Sequence, residues 1–222
     1  MVARLRSSFS DRRIAIVGAL AVLWLFTLAM LAFRVVYTGT GDHTWIAWNL
    51  VLAWVPFVLA LVIYERAPAA PRAQLVALGA LWLLFFPNAP YIVTDLKNIG
   101  VVGGIPILYD VLLLSAAAWT GLLLGLTSLF LIHTVARRLL GDSNAWALVV
   151  GVLAVSSFGI YLGRVQRWNS WDVFVRPGTL LGQLGEGLHA RPIALTVLLT
   201  SFLLASYLVF YSFARLSPLV RE

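Results

Sequence analysis

The chain has 222 residues, 61% of them hydrophobic and 11% charged, with a mean hydropathy of +0.93. Soluble domains are nearer half apolar and a quarter charged, so a water-soluble globule is excluded. The net charge of +7 would point to nucleic acid in a soluble protein, but here Lys and Arg stand between apolar runs, where they set topology, and no nucleic-acid partner is expected. Cysteine is absent, which removes disulfides, thiolate nucleophiles and sulfur-ligated metal sites.

At about 20 apolar residues per crossing, the composition supplies roughly six spans joined by short loops. The expectation is an all-α polytopic bundle forming one integral membrane domain over 1–222, its partner the lipid bilayer. The first run, Ile14 to Val36, follows Arg4, Arg6, Arg12 and Arg13. Its 23 residues exceed the core of about 7–15 residues in a signal peptide, so it reads as a retained span. The second covers about 45–64.

The third, about 74–94, contains Pro87 and Pro90. Each proline removes an amide donor and crowds the preceding turn, which predicts a break near Asn88. Broken backbone at membrane depth is tolerated only where protein or trapped water satisfies it. The alternative is that the span ends at Phe86 and the prolines form a turn. Gln74 to Phe86 is 13 residues, however, about 20 Å of helix against about 30 Å of hydrocarbon.

The fourth run, about 105–133, carries Asp110 one turn from its start. An ionised carboxylate there needs a cation, a proton or a cavity, unless it is a helix N-terminus just outside the hydrocarbon, where the dipole favours an acid. The pairs Gly121/Gly125 in this run and Gly159/Gly163 in the fifth, about 145–163, have the GxxxG spacing that lets helices approach closely. The fifth ends in Arg164 and Arg167, one helical face with two guanidinium forks suited to phosphate or carboxylate, followed by Trp168, Asn169, Trp171 and Asp172. Taken alone, such a cluster also fits an interfacial anchor. Beyond it, leucines at 180, 181, 184 and 188 share a helical face and fit an interfacial helix, whereas glycines at 178, 182, 185 and 187 fit an outer loop. The sixth run covers about 192–214.

With the N-terminus inside, ten of the sixteen basic residues fall in inner segments, which favours both termini cytoplasmic. The other six include Arg164, Arg167, Arg176 and Arg191 in one outer stretch. That stretch runs against the positive-inside bias and therefore invites a functional explanation. In this topology Asn49, Asn88, Asp95, Asp110 and Arg164 through Asp172 all reach the outer face.

The segments LWLLFFPNAPYIVTDL (81–96), YDVLLLS (109–115) and FGIYLGRVQRWNSWD (158–172) resemble DUF1361, a family of bacterial polytopic membrane proteins of unknown function. The resemblance runs from about Trp48 to Tyr211 and implies a bacterial cytoplasmic (inner) membrane protein, with no activity, cofactor or substrate attached. It touches Asn88, Asp95, Asp110, Arg164, Arg167, Trp168, Asn169 and Asp172.

Three functional readings follow. In the first, an outward-facing site binds or translocates an anionic small molecule or lipid headgroup: Arg164 and Arg167 hold the anion, Asp110 and Asp172 orient them, and Asn49 and Asn88 add neutral hydrogen bonds. Polar residues are few in the inner half of the spans, which favours a one-sided pocket. The second is a membrane enzyme on a lipid-linked substrate at the outer leaflet, with Asp95, Asp110 and Asp172 as acid or base or as oxygen ligands of a divalent ion. No HExxH, GxSxG or P-loop accompanies them, so no catalytic residue, metal or cofactor is assigned. The third is a scaffold for a protein partner or a homo-oligomer, in which buried ion pairs fix helix register.

Overall fold

The computed structural model describes residues 2–100, 104–165 and 190–216, with side chains over 14–100, 104–164 and 192–215. Its helices are α1 (Val2–Thr38), α2 (Trp45–Arg66), α3 (Arg72–Phe85), α4 (Asn88–Tyr91), α5 (Ile107–Leu140), α6 (Asp142–Val165) and α7 (Ala190–Leu216), with a 3₁₀ helix over Ile92–Asn98 after α4. Six segments among the described residues are long and apolar enough to cross a membrane: Ile14–Thr38, Trp45–Arg66, Arg72–Asn98, Ile107–Leu140, Asp142–Arg164 and Pro192–Arg215. The chain is an all-helical, multi-pass membrane protein.

Two helices outrun their apolar stretches. α1 begins at Val2 rather than near residue 14, because hydropathy marks where the apolar stretch starts and not where the backbone first turns helical. α5 continues past His133 through Arg137 and Arg138 to Leu140. Cations in a last turn are favoured by the helix dipole, and Gly141, at φ +83°, ends the helix in a conformation that glycine adopts without a Cβ penalty.

The third span is broken at Pro87–Pro90. α3 stops at Phe85, and after Phe86 and Pro87 the chain resumes as the four-residue α4 and then the tighter 3₁₀ helix. The backbone stays right-handed throughout, so the segment runs on to Asn98, 27 residues in all. The span therefore does not end at Phe86.

Glycines on the neighbouring helices seat the break. A Cβ on Gly121 would stand 2.5 Å from the Ala89 carbonyl oxygen and 2.9 Å from Ile92 Cδ1, and one on Gly125 would lie 3.4 Å from Ala89 Cβ and 3.5 Å from Pro90 Cδ. Gly159 of α6 faces Pro87, with a Cβ there 3.5 Å from Pro87 Cγ. The small-residue pair of the fourth span and Gly159 of the fifth thus both serve the third, receiving it at the break.

α5 is the hub, packed against α1, α2, α4, the 3₁₀ helix, α6 and α7. One apolar cluster joins Trp82, Phe86, Leu129, Val149, Leu153, Leu203 and Tyr207, and a second joins Leu31, Leu50, Phe57, Ala89, Ile92, Leu113 and Leu114. A polar relay crosses the centre, where Trp82 Nε1 donates to Ser128 Oγ (2.7 Å) and Ser128 Oγ donates to the Pro56 carbonyl (3.0 Å). It ties α3, α5 and α2 at one level.

Candidate functional site

Antiparallel progression of the spans sends the C-terminal ends of α1, the 3₁₀ helix and α6, together with the N-terminal ends of α2 and α5, to one end of the bundle. That end gathers Arg34, Asn49, Asp95, Asp110 and Arg164, whereas Asn88 lies deeper, beside the Ala89 and Pro90 that pack on Gly121 and Gly125 in the middle of α5.

Asp110 lies in the first turn of α5 and is fully buried. Its partner is Arg34 of α1, which is buried as completely: Nε lies 2.7 Å from Oδ1 and Nη2 3.1 Å from Oδ2. Arg34 Nη1 also donates to the Asp42 carbonyl at 3.4 Å. Sequence reasoning has Asp110 orient Arg164 and Arg167; the structure gives Asp110 to Arg34 and Arg164 to Asp95, while Arg167 lies outside the described residues. α1 packs directly on α5, and the adjacent Tyr109 fastens the same helices by donating to the Met30 carbonyl at 2.7 Å. An arginine at the end of α1 is therefore nearer to Asp110 than one at the end of α6.

The second acid, Asp95, sits in the 3₁₀ helix and is only 1% exposed. Its Oδ1 accepts from Arg164 Nη2, and its Oδ2 accepts from Asn49 Nδ2 of α2 at 3.1 Å. Arg164 also donates from Nε to Thr94 Oγ1 at 2.9 Å and lies with Cζ 4.6 Å from the Tyr91 ring centroid. The residues that follow the proline break, Tyr91, Thr94 and Asp95, thus form a cradle in which one guanidinium is bonded along one edge and covered by an aromatic face. Arg164 keeps 18% of its side-chain surface exposed.

Asn88 stands at the start of α4, and its Nδ2 donates to the Phe85 carbonyl at 2.9 Å, satisfying an acceptor that the break in the helix ladder leaves over. Arg167, Trp168, Asn169 and Asp172, like the stretch 177–188, lie outside the described residues. Among the described residues no three His, Asp or Glu side chains gather where a metal ion could be held.

Sequence reasoning passes over Arg34, Tyr91 and Thr94. Arg34 carries a usable signal, because it stands two residues before the end of an apolar run, and an arginine inside a span needs a partner as much as Asp110 does. Tyr91 and Thr94 carry none, since their role depends on where the break turns them.

The fold and these contacts define a class, a multi-pass helical membrane protein with two acid–arginine pairs collected at one end. The family model described as "Protein of unknown function (DUF1361)" matches residues 48–206, and the chain belongs to that family. The matched stretch contains Asn49, Asp95, Asp110 and Arg164 but leaves out Arg34. No curated protein and no solved structure matches the chain.

Proposed function

We propose that the Arg164 end of the bundle is a one-sided binding site for the anionic part of a small molecule or lipid headgroup, at the outer face of a bacterial cytoplasmic membrane. The observation that carries this reading is the contrast between the two ion pairs. Arg34–Asp110 is sealed on both sides, so it serves as architecture, holding α1 to α5. Arg164 is held in orientation by Asp95, Thr94 and Tyr91, yet its side chain, unlike those of Arg34 and Asp110, keeps part of its surface exposed. A preoriented fork loses little entropy on meeting a phosphate or carboxylate.

Binding from one side is supported by what lies deeper. Ala89, Ile92, Leu113, Leu114, Ala117 and Leu124, all with no exposed surface, fill the bundle behind the acids. The placement at the outer face rests on the arginine bias of the loops, with both termini on the cytoplasmic side.

The test is native mass spectrometry of detergent-solubilised protein titrated with phosphatidylglycerol and with phosphatidylcholine. Arg164→Gln is expected to weaken one phosphatidylglycerol-binding event about tenfold or more, the value of one charge-assisted contact, with phosphatidylcholine unaffected. Arg164→Gln binding phosphatidylglycerol in the same number and strength as the parent overturns the reading. Arg164→Lys, which keeps the charge but not the fork, separates recognition from simple attraction.

A further inference from the structure

The opposite end of the bundle carries a second constellation that the first site does not use. His133 of α5 is 1% exposed. Its Nδ1 lies 2.7 Å from the Tyr207 hydroxyl, and its Nε2 is buried with no hydrogen-bond partner. Around it stand Trp146, with ring centroids 4.6 Å apart, and Tyr211 at 5.4 Å. α5, α6 and α7 thus meet on an aromatic floor of His133, Trp146, Tyr207 and Tyr211.

One turn further along α5, this floor holds arginines in place. Arg137 donates from Nε to Asp142 Oδ1 and from Nη1 to the Tyr211 hydroxyl at 3.2 Å. Arg215 of α7 lies with Cζ 4.7 Å from the centroid of the same Tyr211 ring, and Arg138 lies 5.4 Å from that of Tyr64 on α2. Thr134, Arg137, Arg138 and Asp142 line a cleft of about 320 Å³.

We propose that this cleft is a second anion site, and that it takes a phosphate group. Three features select phosphate over a general attraction to an acidic surface. The first is proximity: a lone interfacial arginine reaches into the headgroups on its own, whereas Arg137 and Arg138 together line one shallow, open cleft. The second is preorientation, because Asp142 and Tyr211 fix the plane of the Arg137 fork, and planar forks match phosphate oxygens in pairs. The third is charge. The two arginines of the lining outnumber its one acid, and Arg215 stands over the same Tyr211 ring that Arg137 bonds, so the cleft remains positive after Arg137 has been paired.

The cleft lies where α5 ends and α6 begins, at the junction of two apolar spans. The phosphate can therefore belong to a lipid or be free in solution. The site shares no residue with the Arg164 site and stands or falls apart from it.

The experiment is a titration of delipidated protein with phosphatidylglycerol, phosphatidylcholine and inorganic phosphate, read by native mass spectrometry and by thermal unfolding. The double variant Arg137→Gln with Arg138→Gln is compared with the parent, and the exposed single variant Arg138→Gln covers the case in which the double variant does not fold. The parent is expected to bind one phosphatidylglycerol at least about tenfold more tightly than either variant does, while Arg164→Gln retains that event. If inorganic phosphate in place of phosphatidylglycerol gives the Arg137- and Arg138-dependent stabilisation, the site serves a free phosphate. Parent and both variants responding alike to phosphatidylglycerol and to phosphate overturns the proposal.

Discussion

Arg34 and Asp110, 76 residues apart in the chain, meet along two hydrogen bonds with neither side chain reaching the surface. The pair is the polar bolt between the first span and the hub of the bundle. Taking one partner away leaves an uncompensated buried charge, which costs about 3–5 kcal/mol, whereas replacing both with apolar residues of similar volume is often neutral. Arg34→Gln and Asp110→Asn are each expected to lose stability on that scale, and Arg34→Met with Asp110→Leu to recover most of it. Unfolding in mixed micelles, followed by tryptophan fluorescence, measures all three. Single variants within about 1 kcal/mol of the parent would mean that the pair does not hold α1 to the bundle.

The fold is largely legible in the sequence because spans are dictated by apolar length, and the positions of Pro87 and Pro90 mark the break before any coordinates are seen. Partner choice is not legible in the same way. Asp110 announces that it needs a cation, but five arginines stand at that end of the chain's topology, and only helix adjacency brings Arg34 to it while Arg164 goes to Asp95. The Asp95–Arg164 contact is hidden for a different reason: it depends on how the chain turns after Pro87, which sends Thr94 and Asp95 toward α6 and α2. Gly121 shows the intermediate case, since its spacing signals a close approach without saying that the visitor is the Ala89 backbone.

That close approach makes the two glycines of α5 unequal. At Gly121 an added methyl would stand 2.5 Å from a carbonyl oxygen, and backbone cannot yield as a side chain can; at Gly125 the nearest atoms, at 3.4 and 3.5 Å, are in ordinary contact. Gly121→Ala is expected to destabilise by about 1–3 kcal/mol, the range for overpacking. Gly125→Ala is expected to be nearly neutral, since a helical glycine itself costs about 0.5–1 kcal/mol relative to alanine. Chemical unfolding of the two single variants tests the ordering, and equal losses would contradict the packing of α4 against α5.

The Trp82–Ser128–Pro56 relay makes a prediction about coupling. Ser128→Ala removes the acceptor of a buried indole N–H and the donor to a buried carbonyl, with an expected loss of about 1–3 kcal/mol. Trp82→Phe removes the indole donor but leaves the hydroxyl bonded to Pro56. In a double-mutant cycle, Ser128→Ala is expected to cost less in the Trp82→Phe background than in the parent, because no indole N–H is then stranded. Strict additivity would show that the indole and the hydroxyl act independently.

The charge balance of the Arg164 cradle separates stability from binding. Asparagine at position 95 can present its oxygen to Arg164 and its amide to a flipped Asn49, so Asp95→Asn removes the negative charge while leaving the geometry satisfiable. Stability is expected to fall by about 1–3 kcal/mol. Affinity for phosphatidylglycerol is expected to rise, because the guanidinium no longer shares its charge with an aspartate. Arg164→Lys is expected to lose both, since an ammonium cannot bond Thr94 and Asp95 from a single planar fork or lie flat over Tyr91. A gain in binding at a cost in stability would show that the carboxylate holds the fork in place at the expense of ligand affinity. Weaker binding in Asp95→Asn would mean instead that the carboxylate is itself needed to hold the fork toward the ligand, and Arg164 would then act only as one half of a pair.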